Sequence, residues 1–271
     1  MGAIVVTGAA RGIGRACVDA LSDLGSLLLV DMREEMLNSV ANELPSPVAT
    51  LACDLTDPSA IQQLATRVEE LGGLRALVHA AGLSGSMASA ERVLEVNLQA
   101  SARLVDALEP QLLPGAAAAL IASQAGHFTK RAIDAETEAL LSDPLHDDLF
   151  KRLSKKLGPA ATDANGAYGL SKRGVHLLAI SRAPAWGARG ARIVSISPGI
   201  IETTMGHAEF DANSRMVQPL IDCTPVGARM GRAEEIAAVA AFVCSDRASF
   251  MTGVDLLVDG GSTHQFNIEP A

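Results

Sequence analysis

A phenol and an ammonium stand four residues apart in Tyr168-Gly169-Leu170-Ser171-Lys172. The surrounding AYGLSKRGVHLLAISRAPA predicts a helix, on which positions four apart share one face. A free tyrosine titrates near 10, roughly three units too high for a base at neutral pH. A neighbouring Lys⁺ favours the phenolate and moves the group toward the range of a general acid–base. Such a pair also occurs on ordinary helix surfaces, so its meaning depends on what stands elsewhere in the chain.

The N-terminus supplies the first companion. Ala3-Ile4-Val5-Val6 is a short apolar run that enters Thr7-Gly8-Ala9-Ala10-Arg11-Gly12-Ile13-Gly14, and a helical pattern follows that Gly25 closes. A strand, a glycine-rich turn and a helix together make a phosphate cradle, in which backbone N–H groups at the helix start face a pyrophosphate. The spacing is G-x-x-x-G-x-G, which a structural turn can also show. A second apolar run, Leu27-Leu28-Leu29-Val30, ends in Asp31, 17 residues past Gly14. A carboxylate there is placed to accept hydrogen bonds from an adenosine ribose.

These residues need a scaffold, and the hydropathy pattern outlines one. Strands are predicted at about 3–7, 26–31, 48–53, 75–79, 116–122, 191–196 and 254–258, with helices around 12–24, 58–71, 88–110, 167–186 and 233–244. Continuous apolar strands separated by helices imply a doubly wound parallel sheet with helices on both faces. No repeat, linker or low-complexity segment divides the chain, so residues 1–271 are expected to form a single Rossmann-type α/β domain.

With its motifs in order, the sequence resembles the short-chain dehydrogenase/reductase family. The resemblance rests on TGAARGIG at 7–14, Asp54-Leu55, HAAG at 79–82, Asn97, Ser123, Tyr168 with Lys172, Pro198-Gly199 and VDGG at 258–261. It implies that Tyr168 exchanges a proton with the substrate oxygen, and that Lys172 lowers the phenol pKa and bonds the nicotinamide ribose. It implies that Ser123 polarises the carbonyl and that Asn97 holds a water relaying protons to Lys172. The implied cofactor cradle is Gly8, Arg11, Gly12, Ile13 and Gly14, with Asp31 on the ribose, Asp54 on the adenine amino group, and Leu55, Ala81 and Gly82 against the ring and ribose. Pro198, Gly199, Ile201 and Thr203 match the segment facing the nicotinamide carboxamide. His79 stands where the family usually has asparagine, and is expected to replace a strand-linking amide rather than to catalyse. Asp31 favours NAD(H), because a carboxylate bonds a 2′-hydroxyl and repels a 2′-phosphate; Arg11 and Arg33 count the other way.

The resemblance has one interruption. Ser123 and Tyr168 are 45 residues apart, against about a dozen in most of the family. The extra segment, 128–164, contains Asp143-Pro144, an N-cap followed by proline at a first helical position. Leu145, Leu149, Leu153 and Leu157 then recur at every fourth residue, with Asp147 and Asp148 before Lys155 and Lys156, so a helical hairpin is expected. It makes the chain similar to the hydroxysteroid dehydrogenase/carbonyl reductase branch, which implies a steroid-like or alicyclic alcohol as substrate. The insert is expected to shape the substrate mouth and to favour a homodimer over the family's common tetramer. The alternatives are a 3-oxoacyl thioester reductase and a non-catalytic NAD-binding regulator.

Composition narrows the partners. A net charge of −9 argues against nucleic acid and anionic membrane, and 3% aromatic residues leave little for base stacking. No apolar run reaches the ~20 residues that span a bilayer. The first strand begins at residue 3, so no leader is expected, and the expected compartment is the cytoplasm. Cys17, Cys53, Cys223 and Cys244 are dispersed and read as small buried residues; no metal-ligand spacing is present.

Overall fold

The computed structural model of the chain describes residues 2–46 and 48–266. Seven parallel strands form one sheet: β1 (Ala3–Thr7), β2 (Ser26–Asp31), β3 (Ala49–Ala52), β4 (Leu74–His79), β5 (Leu112–Ile121), β6 (Arg192–Pro198) and β9 (Asp255–Val258). A separate pair joins β7 (Ile201–Glu202) to β8 (Gly231–Arg232). In the main sheet the order is β3-β2-β1-β4-β5-β6-β9. Successive side chains point to opposite faces of a strand, and here each face meets its own core. Val5, Leu28, Val30, Leu77 and Leu120 pack into one layer, while Ile4, Val6, Leu27, Leu29 and Val78 pack into the other. That double burial is why these strands read as continuous apolar runs.

Helices α3 (Pro58–Glu70), α5 (Ala100–Leu108) and α10 (Ala164–Ala188) cover the first face; α1 (Gly12–Leu21), α2 (Glu34–Glu43) and α12 (Ala233–Cys244) cover the second. The chain reverses its winding between β1 and β4. In an open α/β sheet, such a switch point leaves a crevice at the carboxyl ends of the strands, where ligands bind. Among the described residues, no helix is long and apolar enough to cross a membrane.

All seven expected strands form, with ends displaced by a few residues. The largest shift is in β5, which starts at Leu112 rather than 116. Its pairing with β4 slips between Leu74 and Ala76, and the exposed Pro114 and Gly115 lie in the bulged stretch. The helix expected over 88–110 is instead three pieces: α4 (Ala90–Leu94), a π-helical turn at Glu95–Gln99, and α5. Asn97 sits in that turn. A π-bulge is a common device for aiming a side chain at a functional site.

The insert is helical, with one correction to its layout. Residues 128–132 continue α6 (Gln124–Ala132), and the hairpin proper is α7 (Ala135–Ser142) and α8 (Leu149–Leu157), followed by the short α9 (Pro159–Thr162). Asp143 does not open a helix at Pro144. It caps the C-terminal end of α7, its N–H bonding Leu140 O, and the imidazole of His146 accepts from Asp148 N (3.1 Å) before α8 begins. A local turn therefore took the residues that looked like a helix start. Leu149 and Leu153 are buried and Leu157 partly so, packed with Leu140, Leu141, Leu94, Leu98 and Leu170, whereas Leu145 is exposed. The stripe is thus covered within the chain, against α4 and α10. Lys156 ties α8 to Asp134 and Glu136 at the start of α7. Leu153→Ala should lower the unfolding free energy by about 2–5 kcal/mol, and Leu145→Ala by under ~0.5 kcal/mol. Denaturant titration of the two variants checks this.

Candidate active site

The crevice at the switch point is a cavity of about 770 Å³ lined by the glycine turn, the ends of β2, β3 and β4, and the tyrosine face of α10. Its roof is α11 (Thr204–Asp222), which contributes Met205, Glu209, Met216, Val217 and Leu220. No residue between Phe128 and Asn165 lines it. Of the expected insert, 128–164, Phe128 alone lines the cavity; the hairpin proper, contrary to expectation, does not, because its leucines draw it onto the flank of α10.

At one end the backbone is bare enough for a pyrophosphate. A Cβ at Gly8 would stand 2.8 Å from Ala81 N, and one at Gly14 would collide with the carbonyl oxygen of Gly8. Turn and helix start touch so closely that only glycine fits, leaving the N–H groups of α1 open to an anion. Asp31, at the end of β2, accepts from Ala10 N (3.3 Å) and Arg33 N (3.3 Å), and its carboxylate pairs with Arg33 Nε at 3.7 Å. Asp54 accepts from the amide and hydroxyl of Thr56 (2.9 and 2.8 Å). Those bonds hold its carboxyl below the ordinary range, with Arg92 assisting. Arg11, Gly12, Ile13, Leu55, Ala81, Gly82, Pro198, Gly199, Ile201 and Thr203 all line the same cavity. Thr203 also caps α11, accepting from Gly206 N at 3.0 Å. These residues fit a dinucleotide, which supplies a hydride-carrying nicotinamide when bound.

At the other end Ser123, Tyr168 and Lys172 meet. Ser123 ends the turn after β5 and caps α6, its Oγ accepting from Ala125 N at 3.2 Å. That leaves its own hydrogen available to the Tyr168 phenol, whose pKa it lowers. One turn further along α10, Lys172 lies 5.7 Å from the tyrosine ring centre and donates to Ile121 O at 3.0 Å. The electrostatics differ from the sequence expectation. Burial is the largest influence on Tyr168 and raises its pKa above the ordinary value; the Ser123 bond opposes this and Glu209 adds to it. Lys172 is governed by burial as well. Its own pKa falls to about 8, because burial disfavours the cation.

Asn97 is near this group but occupied. Its Oδ1 accepts from Leu83 N (2.8 Å), and its Nδ2 donates to Leu83 O (2.9 Å) and Ser171 Oγ (3.1 Å). The side chain clamps the loop after β4 to the helix of Lys172 rather than standing free to hold a water. A Cβ at Gly82 would sit 3.1 Å from Asn97 Oδ1 and 3.6 Å from Lys172 Nζ, so that glycine is what lets the two approach.

His79 does link strands. Its Nδ1 is 2.7 Å from Thr7 Oγ1 and its Nε2 2.7 Å from Ser101 Oγ. Ser101 donates to Asn97 O at 2.6 Å, so it accepts from His79 Nε2–H, and Nδ1 accepts from the Thr7 hydroxyl. Burial pushes the imidazole pKa down to about 3, which keeps it neutral. This chain of bonds was foreseen only as a missing amide.

Sequence inspection missed the roof residues and Phe128, for which no motif exists. It also missed a meeting of His127, His176 and Asp255, whose ligand atoms lie within 4.8 Å of one another. There His127 Nε2 donates to Asp255 Oδ2 (2.7 Å), His176 Nε2 bonds Ser197 Oγ (2.7 Å), and Ser195 and Ser197 donate to Asp255 Oδ1 (2.6 and 2.9 Å). Both ring nitrogens facing the group carry hydrogens in this network, which leaves no lone pair turned toward an ion.

Fold and cavity thus define a Rossmann-type protein with a dinucleotide cradle beside a Ser–Tyr–Lys group. Comparison with known proteins agrees. The short chain dehydrogenase profile matches residues 2–133, and that of enoyl-(acyl carrier protein) reductase matches 154–263; between them lies most of the hairpin. A short-chain dehydrogenase/reductase from Alternaria brassicicola is 30% identical, over 96% of this chain and 94% of its own. The 3-alpha-hydroxysteroid dehydrogenase/carbonyl reductase of Comamonas testosteroni is 27% identical over 96% of each. The solved structure of a Brucella melitensis protein, titled a glucose/ribitol dehydrogenase, superposes with a TM-score of 0.76 at 27% identity, covering 96% of both chains. The chain belongs to the short-chain dehydrogenase/reductase family.

Proposed function

We propose that the protein is an NAD(H)-dependent oxidoreductase that interconverts a secondary alcohol and a ketone. The observation that carries this is the meeting of Ser123, Tyr168 and Lys172 in one cavity whose other end is a glycine cradle. Tyr168, kept protonated by burial, is poised to donate its proton to a ketone oxygen, and Ser123 orients that oxygen. Lys172 lies below as a buried cation, and Asn97 fixes the loop and helix that flank it. In the alcohol-oxidising direction the phenolate is the required form, and its raised pKa means that this form grows with pH.

NAD(H) over NADP(H) rests on Asp31. Its carboxylate lies at the ribose end of the cradle, and its pairing with Arg33 engages the cation that a 2′-phosphate would need. The same feature weighs against a 3-oxoacyl thioester reductase, a reading tied to NADPH. A non-catalytic NAD-binding role fits less well, since Ser123, Tyr168 and Lys172 are assembled rather than dispersed. The steroid-like preference loses the support of the hairpin, which does not line the cavity. The largely apolar roof still suits an alicyclic body.

We further propose a cytoplasmic protein and a homodimer, the latter because the hairpin covers part of α10, which carries Tyr168, and of α4, which leads into the π-helical turn of Asn97. Light scattering should give twice the chain mass; four times the mass counts against it.

Tyr168→Phe should lose at least ~10²-fold in kcat while still binding NADH, since only the proton donor is removed. Near-normal turnover would mean that another group moves the proton. Matched kinetics with both cofactors should favour NADH over NADPH by ~10-fold or more in kcat/KM, and a preference for NADPH would overturn the role of Asp31.

A further inference from the structure

We infer that Glu209 reads the substrate: its carboxylate accepts a hydrogen bond from a hydroxyl or ammonium group borne by the substrate away from the reacting carbon. This rests on the ketone–alcohol reading above and extends it to the class of substrate.

Glu209 hangs from the roof, on the stretch of α11 before its kink at Asn213 (φ −135°, ψ 37°). Its Oε1 accepts from Asn213 Nδ2 at 2.7 Å and its Oε2 from Ser86 Oγ at 3.3 Å. Ser86 in turn bonds Ser84, whose Oγ is 2.9 Å away. Both partners of the carboxylate are neutral, and the second bond is long. A carboxylate offers about four lone-pair sites, two of which these bonds occupy, and the residue lines the cavity. Its charge reaches the reaction centre, since it acts on the Tyr168 phenol. Phe128 and, from the same roof helix, Met216, Val217 and Leu220 line the cavity with it.

Asp31 and Asp54 line the cradle end of the cavity, so Glu209 is the carboxylate left for the Ser123–Tyr168 end, and one such group beside apolar side chains can orient a ligand by one polar contact. The contact it seeks is a donor, and hydroxyl and ammonium are the two neutral-pH donors that fit. A carboxylate-bearing or phosphorylated substrate would meet repulsion instead. Hydrogen bonds to a charged group are worth about 1.5–3 kcal/mol, which corresponds to roughly 10- to 100-fold in kcat/KM.

The test compares NADH-dependent reduction of 4-hydroxycyclohexanone, protonated 1-methyl-4-piperidone and 4-methylcyclohexanone by the wild type, Glu209→Gln and Glu209→Leu. The quantity read is the kcat/KM of each donor-bearing ketone divided by that of 4-methylcyclohexanone. Effects on Tyr168 or on closure of the roof are common to all three ketones and cancel in the ratio. The wild type should favour at least one donor-bearing ketone by ~10-fold or more, and Glu209→Leu should bring that ratio near one. Glu209→Gln keeps an acceptor but loses the charge. A ratio that survives in this variant identifies a hydroxyl ligand, and one that collapses identifies an ammonium. Ratios unchanged in both variants overturn the inference. If the wild type reduces none of the three ketones, the ketone–alcohol reading is what has failed. The same ratios, taken as affinities for the enzyme–NADH complex by saturation-transfer NMR, then still decide the role of Glu209.

Discussion

The site depends on how buried polar groups are satisfied where the sheet opens between β1 and β4. A parallel sheet covered on both faces has no water to spare, and an unpaired polar group inside it costs about 1–3 kcal/mol. Opening the sheet to admit a ligand nonetheless brings hydroxyls, an imidazole, an amide and an ammonium into its floor. The solution is a continuous chain of bonds: Ala81 N to Thr7, Thr7 to His79, His79 to Ser101, and Ser101 to the carbonyl of Asn97. Every hydrogen in it has one direction open to it, so the imidazole is held neutral in a single tautomer. Such networks specify one arrangement because a half-satisfied version is costly.

From that floor the geometry of the cavity follows. Asn97, fixed by its carbonyl and by a π-helical turn, uses its amide to bind both backbone groups of Leu83 and to reach Ser171. This joins the loop after β4 to α10 next to Lys172. The buried Lys172, directed at Ile121 O, is a cation in a place that resists charge, which explains its depressed pKa. Tyr168 experiences the same burial with the opposite sign: the neutral phenol is the favoured form. Tyr168, read from the sequence as activated by Lys172, and Lys172 itself are each governed first by desolvation.

The hairpin shows how a segment can be remote in effect although close in sequence to the catalytic residues. It enters after Ser123 and leaves just before Tyr168, yet its leucines find apolar partners on α4 and α10. Burial of that stripe pulls the hairpin off the mouth, and α11 roofs the cavity instead. The side chains that a substrate meets therefore come largely from a helix without a recognisable motif.

What the sequence by itself determined is what repeats at short range or follows a motif. Seven apolar runs defined the parallel sheet, since each strand is buried on both faces. The glycine spacing at 8, 12 and 14 defined the cradle, since only glycine permits contacts as close as Gly8 with Ala81. Ser123, Tyr168 and Lys172 were legible because a strand end and a helix repeat bring them to one place. Tertiary structure alone decided the rest. Asp143 looked like a helix start, but became the end of α7, because capping depends on which neighbour accepts the bond. The sign of the Tyr168 shift required knowing how deeply the ring is buried, which spacing does not encode. His79 found Ser101, and Glu209 found Ser86 123 residues away, because packing of the sheet and roof brought them together. No local pattern carries information about contacts between elements so far apart in the chain.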